Sequence, residues 1–94
     1  MIKLNQRAKP YPDVIVTELE NREGVLLNLT TKMYYTLNET GLRIWQILDS
    51  GCRLGEVGAV LSNEFDVTPE MAEKSVLNLV GELSVEKLVK VTDE

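Results

Sequence analysis

Few side chains in this sequence could perform covalent or acid–base chemistry. Among its 94 residues the chain has no histidine and a single cysteine, Cys52. Histidine is the commonest general base and the usual partner of a serine or cysteine nucleophile. An internal disulfide needs two cysteines, and structural zinc sites need four cysteine or histidine ligands. We therefore expect no catalytic residues, and we assign no role to Cys52.

The abundant ionisable groups are carboxylates. Fifteen Asp and Glu residues stand against ten Lys and Arg residues, which gives a formal net charge of −5. Carboxylates alone can bind Mg²⁺ or Ca²⁺, but the sequence has no Asp-x-Asp-x-Asp-Gly loop, and we expect neither a metal nor a cofactor. An acidic chain is repelled on average by nucleic acid and by anionic lipid, so we expect neither as a partner.

The length and the hydropathy pattern indicate one globular domain. A chain of 94 residues can bury one core but not two. No apolar run approaches the roughly 20 residues that a membrane helix needs. The first residues lack the apolar centre of a signal peptide, so a cytoplasmic location is the default expectation.

The chemistry that remains is recognition through backbone hydrogen bonds. Met33, Tyr34, Tyr35, Thr36 and Leu37 form an aromatic segment with neither lysine nor proline inside it. The free N–H and C=O groups of an edge strand can pair with another chain, and lysine or proline in the strand usually prevents this pairing. This segment therefore has the character of a peptide acceptor. The alternative, which the residues alone favour, is an ordinary edge strand with one buried face.

Three segments predict an antiparallel meander that positions this strand. Residues 14–20 are rich in β-branched side chains, and residues 25–29 and 33–37 follow after short turns. Alternation along a strand puts every second side chain on the same face. It groups Val25, Leu27 and Leu29 on one face of the second strand, and Met33, Tyr35 and Leu37 on the core face of the third.

After the third strand the hydrophobic period changes to that of helices. Asn38 is a good N-cap for a first helix ending near residue 49, and a second helix starts near Leu54. Thr68 caps a third helix over residues 69–84, with proline at its first position. The predicted inner stripes are Gly41, Ile44, Trp45 and Leu48; Val57, Val60, Leu61 and Phe65; and Ala72, Val76, Leu79 and Leu83, with Val80 beside them.

The order of elements predicts an α+β fold, a three-stranded antiparallel sheet followed by three helices, laid out like a winged helix-turn-helix. We expect residues 1–13, with two prolines, to be a flexible, irregular N-terminal arm. Residues 14–94 would then be a single domain. Residues 88–91 could add a short closing strand.

Residues 27–45 contain a specific pattern. A strand, a short threonine turn and an aromatic strand lead to Leu37-Asn38-Glu39-Thr40-Gly41 and then to Ile44-Trp45. The chain closely resembles the PqqD-like family over roughly residues 14–91. The members dedicated to coenzyme PQQ tend to have a Pro-Glu pair where this chain has residues 31–33, so the resemblance leaves open whether the pathway is that of PQQ or of another peptide product.

The resemblance implies a non-catalytic peptide-recognition domain. PqqD-like proteins bind the leader segment of a ribosomally made precursor peptide and present it to a modifying enzyme; a radical-SAM enzyme is one candidate for that partner here. In that family the leader adds as a strand beside the third strand, in a cleft walled by the third helix. By position, the cleft would use residues 33–37 and, from the helix, Lys74, Leu77, Asn78 and Gly81.

The helical candidates have alternatives. Leu77 could floor an apolar pocket or belong to the edge of the core, and Lys74 could be an ordinary solvated charge. Gly81 would let a ligand approach closely, which would explain a glycine inside a helix. The acidic residues of the third helix are expected to form a solvated face: Glu70, Glu73, Glu82 and Glu86.

A winged-helix nucleic-acid-binding protein is the alternative function. The third helix would then be the recognition helix. Its charges have the wrong sign for contact with phosphates, because four glutamates stand against Lys74 and Lys87.

Overall fold

The computed structural model describes residues 2–93; Met1 of the expected arm and Glu94 of the expected domain lie outside them. In chain order the elements are β1 (Arg7–Pro10), β2 (Val14–Glu18), β3 (Gly24–Asn28), β4 (Tyr34–Leu37), α1 (Glu39–Leu48), α2 (Leu54–Glu64), α3 (Pro69–Val85) and β5 (Val89–Thr92). Strands β2, β3 and β4 form an antiparallel sheet in that order, and β1 pairs with β5. The predicted α+β fold, a three-stranded sheet followed by three helices, is confirmed.

Both hairpins of the larger sheet close through a residue with a left-handed backbone. Arg22 and Lys32 each have a φ of 66°. In the second hairpin the side chain of Asn28 accepts hydrogen bonds from the amides of Thr30 and Thr31, at 2.9 and 3.1 Å. Asparagine favours such local turns because its short side chain can replace a backbone acceptor. The turn thus sets the register in which Leu26 lies opposite Tyr35.

The buried face of β3 is the one that carries Leu26 and Asn28, which are 0% and 5% exposed. Val25, Leu27 and Leu29 do share a face, as predicted, but it is the outer one. The expectation that Met33 faces the core is wrong, because 63% of its surface is exposed. Met33 lies at the hairpin end of the sheet, before the first residue of β4, where its side chain remains in solvent.

The helices begin and pack largely as predicted. The Asn38 side chain accepts a hydrogen bond from the Gly41 amide at 2.8 Å, and Thr68 caps α3 through the Met71 amide. In α3 the core stripe is Ala72, Val76, Val80 and Leu83, whereas Leu79 is only half-buried. A rotation of 100° per residue places Val80, one turn after Val76, on the core line. Within residues 2–93 no helix is long and apolar enough to cross a membrane.

The expectation of an irregular N-terminal arm is corrected over residues 7–10, which form β1 against β5. Ala8 is 1% exposed, and Ile2 and Leu4 pack against the core. The carbonyl oxygens of Gln6 and Leu4 accept hydrogen bonds from the amides of Leu54 and Gly55, both at 2.9 Å. The first amides of a helix have no partner within it, so this segment satisfies the start of α2. Residues 7–10 therefore form a strand because of contacts with residues distant in sequence.

Candidate functional site

The outer edge of β4 is open. Among the described residues β4 pairs with β3 only. The Asn28 amide donates to the Met33 carbonyl oxygen at 2.9 Å, so the register makes this a hydrogen-bonded pair. Hydrogen-bonded and non-bonded pairs alternate in an antiparallel ladder. Tyr35 therefore bonds inward to β3, whereas the N–H and C=O groups of Tyr34 and Thr36 point outward.

A groove runs between β4 and α3 beside this open edge. Two hollows of about 530 and 460 Å³ are lined by both β4 and α3, and a third of about 370 Å³ continues from them between α1 and α3. We call their union the β4–α3 groove. Tyr35 and Glu82 line both of the two larger hollows, and Glu82 also lines the third. An extended peptide on the edge of β4 would thus have every second side chain directed toward α3.

One hydrogen bond joins the two walls of the groove. The Tyr35 hydroxyl donates to Oε2 of Glu82 at 2.6 Å. This bond, together with burial and the negative charges of Glu82 and Glu86, raises the pKa of Tyr35 to about 12. The phenol is therefore neutral at physiological pH and acts as a fixed donor that orients the Glu82 carboxylate.

Three of the helical candidates line the groove beside this bridge. Leu77, Asn78 and Gly81 share one hollow with Tyr35 and Val85. Leu77 is half-buried, lines this hollow and also packs against the core. A Cβ atom on Gly81 would lie 3.9 Å from Cδ1 of Ile2, an ordinary contact distance. Packing among the described residues therefore leaves room for a methyl group at Gly81.

The strand candidates divide between the groove and the outer surface. Tyr35, Thr36 and Leu37 line the groove. Tyr34 is 71% exposed and, like Met33, does not line it; its backbone groups nevertheless belong to the open edge. Lys74 is exposed on α3, also outside the groove.

Asn28 joins the β3–β4 hairpin to the end of α3. While its side-chain oxygen holds the turn, its Nδ2 atom donates to the Lys87 carbonyl oxygen at 3.3 Å. Asn28 is 5% exposed, and its side-chain hydrogen bonds reach both the hairpin turn and the residue Lys87 beyond the end of α3. Buried polar groups cost free energy unless they are hydrogen-bonded, so this arrangement favours one position of β4 relative to α3.

Sequence reasoning missed several residues of the groove. Glu82 and Glu86 were expected to be solvated, and both are exposed, but they also line the groove. Glu73 of the same expected face is half-buried, and Leu79 was expected in the core. Positions four apart share a helix face, so the line from Leu77 to Gly81 continues to Val85, and the line from Asn78 continues to Glu82 and Glu86. Extending these two lines along the helix would have predicted Val85, Glu82 and Glu86 as lining residues. The additional lining residues are Leu19, Glu23, Gly24, Asn38, Thr40, Gly41, Ile44, Ser75, Leu79, Glu82, Val85 and Glu86.

Groups typical of metal or thiol chemistry are not gathered at this groove. Within residues 2–93 no three His, Cys, Asp or Glu side chains are placed to hold a metal ion. The Cys52 sulfur lies 3.2 Å from the Ser50 hydroxyl, in the connection between α1 and α2. What the groove offers is a strand edge, an apolar floor and carboxylates.

The comparisons with known proteins agree with this geometry. The family described as coenzyme PQQ synthesis protein D (PqqD) matches residues 23–89. No curated protein matches the sequence. The fold is similar to that of TbiB1 in complex with the TbiA(beta) leader peptide, with 28% identity, a TM-score of 0.79, and coverage of 87% of this chain and 94% of that one. It is also similar to lasso peptide synthetase B1 complexed with the leader peptide, with 26% identity, a TM-score of 0.79, and coverage of 89% and 98%. Since the family match spans well over half of the sequence, the chain belongs to the PqqD family.

Proposed function

We propose that this protein is a non-catalytic binding protein that captures the leader segment of a ribosomally made precursor peptide as an added strand on β4. The observation that carries the proposal is the open edge of β4 beside the β4–α3 groove. The two similar structures are described as complexes with leader peptides, which supports the same use of this fold here.

Presentation of the leader to a modifying enzyme completes the proposed role. Without histidine, and with Cys52 away from the groove, the domain is expected to leave chemistry to that enzyme. A radical-SAM enzyme is one candidate partner.

The geometry allows an estimate of affinity. Tyr34 and Thr36 offer four outward backbone groups, worth about 1 kcal/mol net for each hydrogen bond. Two or three apolar peptide side chains in the groove would add about 1.5–3 kcal/mol each. Ordering a flexible peptide costs about 2–5 kcal/mol, and lost translation costs more. The balance is a dissociation constant of roughly micromolar.

Amide hydrogen exchange tests the mode of binding directly. The genes beside this one are first searched for a short precursor, and the probe is a synthetic segment of its leader. We expect it to protect the amides of Tyr34 and Thr36, which point outward. The amides of Tyr35 and Leu37 already bond to β3 and should change little. Binding that protects neither Tyr34 nor Thr36 would exclude strand addition at β4. No binding by calorimetry at about 100 times the estimated constant would reject the function.

A further inference from the structure

The β4–α3 groove has an unbalanced charge. Its lining contains Glu23, Glu82 and Glu86, and it contains no lysine or arginine. Neither of the two ion pairs found within residues 2–93 involves these glutamates. A peptide that enters the groove displaces water from around the carboxylates, so a neutral ligand would leave them less well solvated.

Glu82 is the carboxylate at the centre of the groove. Its Oε2 atom accepts the Tyr35 hydroxyl hydrogen bond, whereas no residue within 2–93 donates to Oε1. The Tyr35 hydroxyl is already committed as a donor and carries no charge that could neutralise the carboxylate. Glu86 lies one turn further along α3 and lines the same hollow. A ligand thus meets a fixed acceptor backed by a second negative charge.

The lysines nearest in sequence to Glu82 and Glu86 form no ion pair with them. Lys74 lies eight residues before Glu82, which is about 12 Å along a helix and beyond the screening length of about 8 Å at physiological salt. Lys87 follows the end of α3, and it lines a separate hollow with Tyr11 and Asn28.

We propose that Glu82, oriented by Tyr35 and supported by Glu86, selects a leader that places a lysine or arginine side chain in the β4–α3 groove. This inference rests on the proposed function. Strand geometry sets where that cation lies in the peptide. Side chains on one face of a strand are two residues apart, about 6.6 Å, so the cation lies on the same face as the apolar residue that contacts Leu77 and Val85.

A display selection tests this specificity without knowledge of the natural leader. The probe is an mRNA-display library of random 12-residue segments, selected against the wild-type protein, Glu82→Lys and Glu70→Lys. The wild type should enrich lysine or arginine at one position, and Glu82→Lys should enrich aspartate or glutamate there. Glu70→Lys makes the same charge change at an exposed position of α3 outside the groove, and it should select as the wild type does.

An enriched peptide then gives the size of the effect. Replacing its cation with glutamine should weaken binding to the wild type about threefold to tenfold, as expected for a partly solvated pair. The same replacement should have no effect on binding to Glu82→Gln. Tyr35→Phe should reduce the discrimination between the two peptides more than it reduces affinity for the neutral one, which identifies Tyr35 as a positioning residue.

The possible failures are distinguishable. Enriched peptides that protect Tyr34 and Thr36 but carry no preferred cation would overturn this inference and leave the proposed function standing. A library that yields no peptide bound at the edge of β4 would overturn the proposed function, and the charge specificity with it.

Discussion

The β4–α3 groove and a second hollow near the three-stranded sheet differ in how their charged side chains are paired. The β4–α3 groove contains glutamates and no cation. The other hollow, about 390 Å³ between the end of β2 and helices α1 and α2, contains both signs. There Arg22 lies 3.6 Å from Glu39, and Arg43 lies 2.6 Å from Glu64, which lowers the pKa of Glu64 below its usual value. We call it the ion-paired hollow.

This difference supports the proposal that the β4–α3 groove, and not the ion-paired hollow, receives the peptide. In the ion-paired hollow Arg43 donates from two nitrogens to both oxygens of Glu64, a planar arrangement that already satisfies both side chains. The β4–α3 groove leaves its carboxylates and a strand edge for an incoming chain. Strand β2 is also an edge, since it pairs only with β3 among the described residues. Free backbone groups therefore do not define a site unless a wall with recognition groups stands beside them.

Proline substitution on the two edges should give the largest contrast. The Thr36 amide points outward, so Thr36→Pro removes one donor and places a ring where the added strand would lie. We expect affinity for the leader segment to fall at least about thirtyfold, or about 2 kcal/mol, by calorimetry.

The matched control is Val16→Pro. Leu19 and Glu23 form a hydrogen-bonded pair in the β2–β3 ladder, and alternation then points the Val16 amide outward as well. This variant should bind the leader as the wild type does. Equal losses in the two variants would mean that the edge of β4 is not special.

Changing the floor of the groove should have the next largest effect. Leu77→Asn keeps the number and branching of the side-chain heavy atoms and adds no charge, but it places an amide against apolar peptide side chains. We expect about tenfold weaker binding, or about 1.4 kcal/mol, in a titration. Met71→Asn makes a similar change at a residue of α3 that is 60% exposed and lies outside the groove. If both variants bind as the wild type does, α3 is not a wall of the site.

Gly81 provides a smaller test with opposite effects on folding and binding. Because a Cβ atom there meets nothing closer than 3.9 Å, Gly81→Ala should stabilise the protein by about 0.5–1 kcal/mol in a denaturant melt. The methyl group would occupy the groove, so affinity for the leader should fall about twofold to threefold. A stabilised variant with unchanged affinity would show that the ligand does not approach α3 at this point.

The smallest effect concerns the bridge across the groove. The hydrogen bond to Glu82 raises the pKa of Tyr35 from 10.0 to about 12, which favours the neutral phenol in the folded state. Its contribution to stability is therefore complete below pH 10 and is lost as the pH rises through about 12. Absorbance at 295 nm should show a late-titrating phenol that Tyr35→Phe removes and Glu82→Gln shifts to lower pH. A titration curve unchanged by Tyr35→Phe would contradict this.

The sequence alone determined the local parts of this protein. The Asn38 and Thr68 caps and the order of strands before helices depend on contacts within a few residues, and they appear in the structure. The predicted helix stripes are buried except at Val60, Phe65 and Leu79, which are half-buried. The resemblance over residues 27–45 indicated the family and the strand that lines the groove. The absence of histidine limited the chemistry before any fold was known.

Only the tertiary structure decided the remaining features. Residues 7–10 have no strand pattern of their own, and they become β1 because β5 and the start of α2 supply partners distant in sequence. The role of Asn28 depends on Lys87, and that of Glu82 depends on Tyr35. Glu82 remains exposed, as the sequence predicted, and only the hydrogen bond from Tyr35 ties it to β4. The charge of the groove is thus a property of the packing of β4 against α3, which local pattern does not encode.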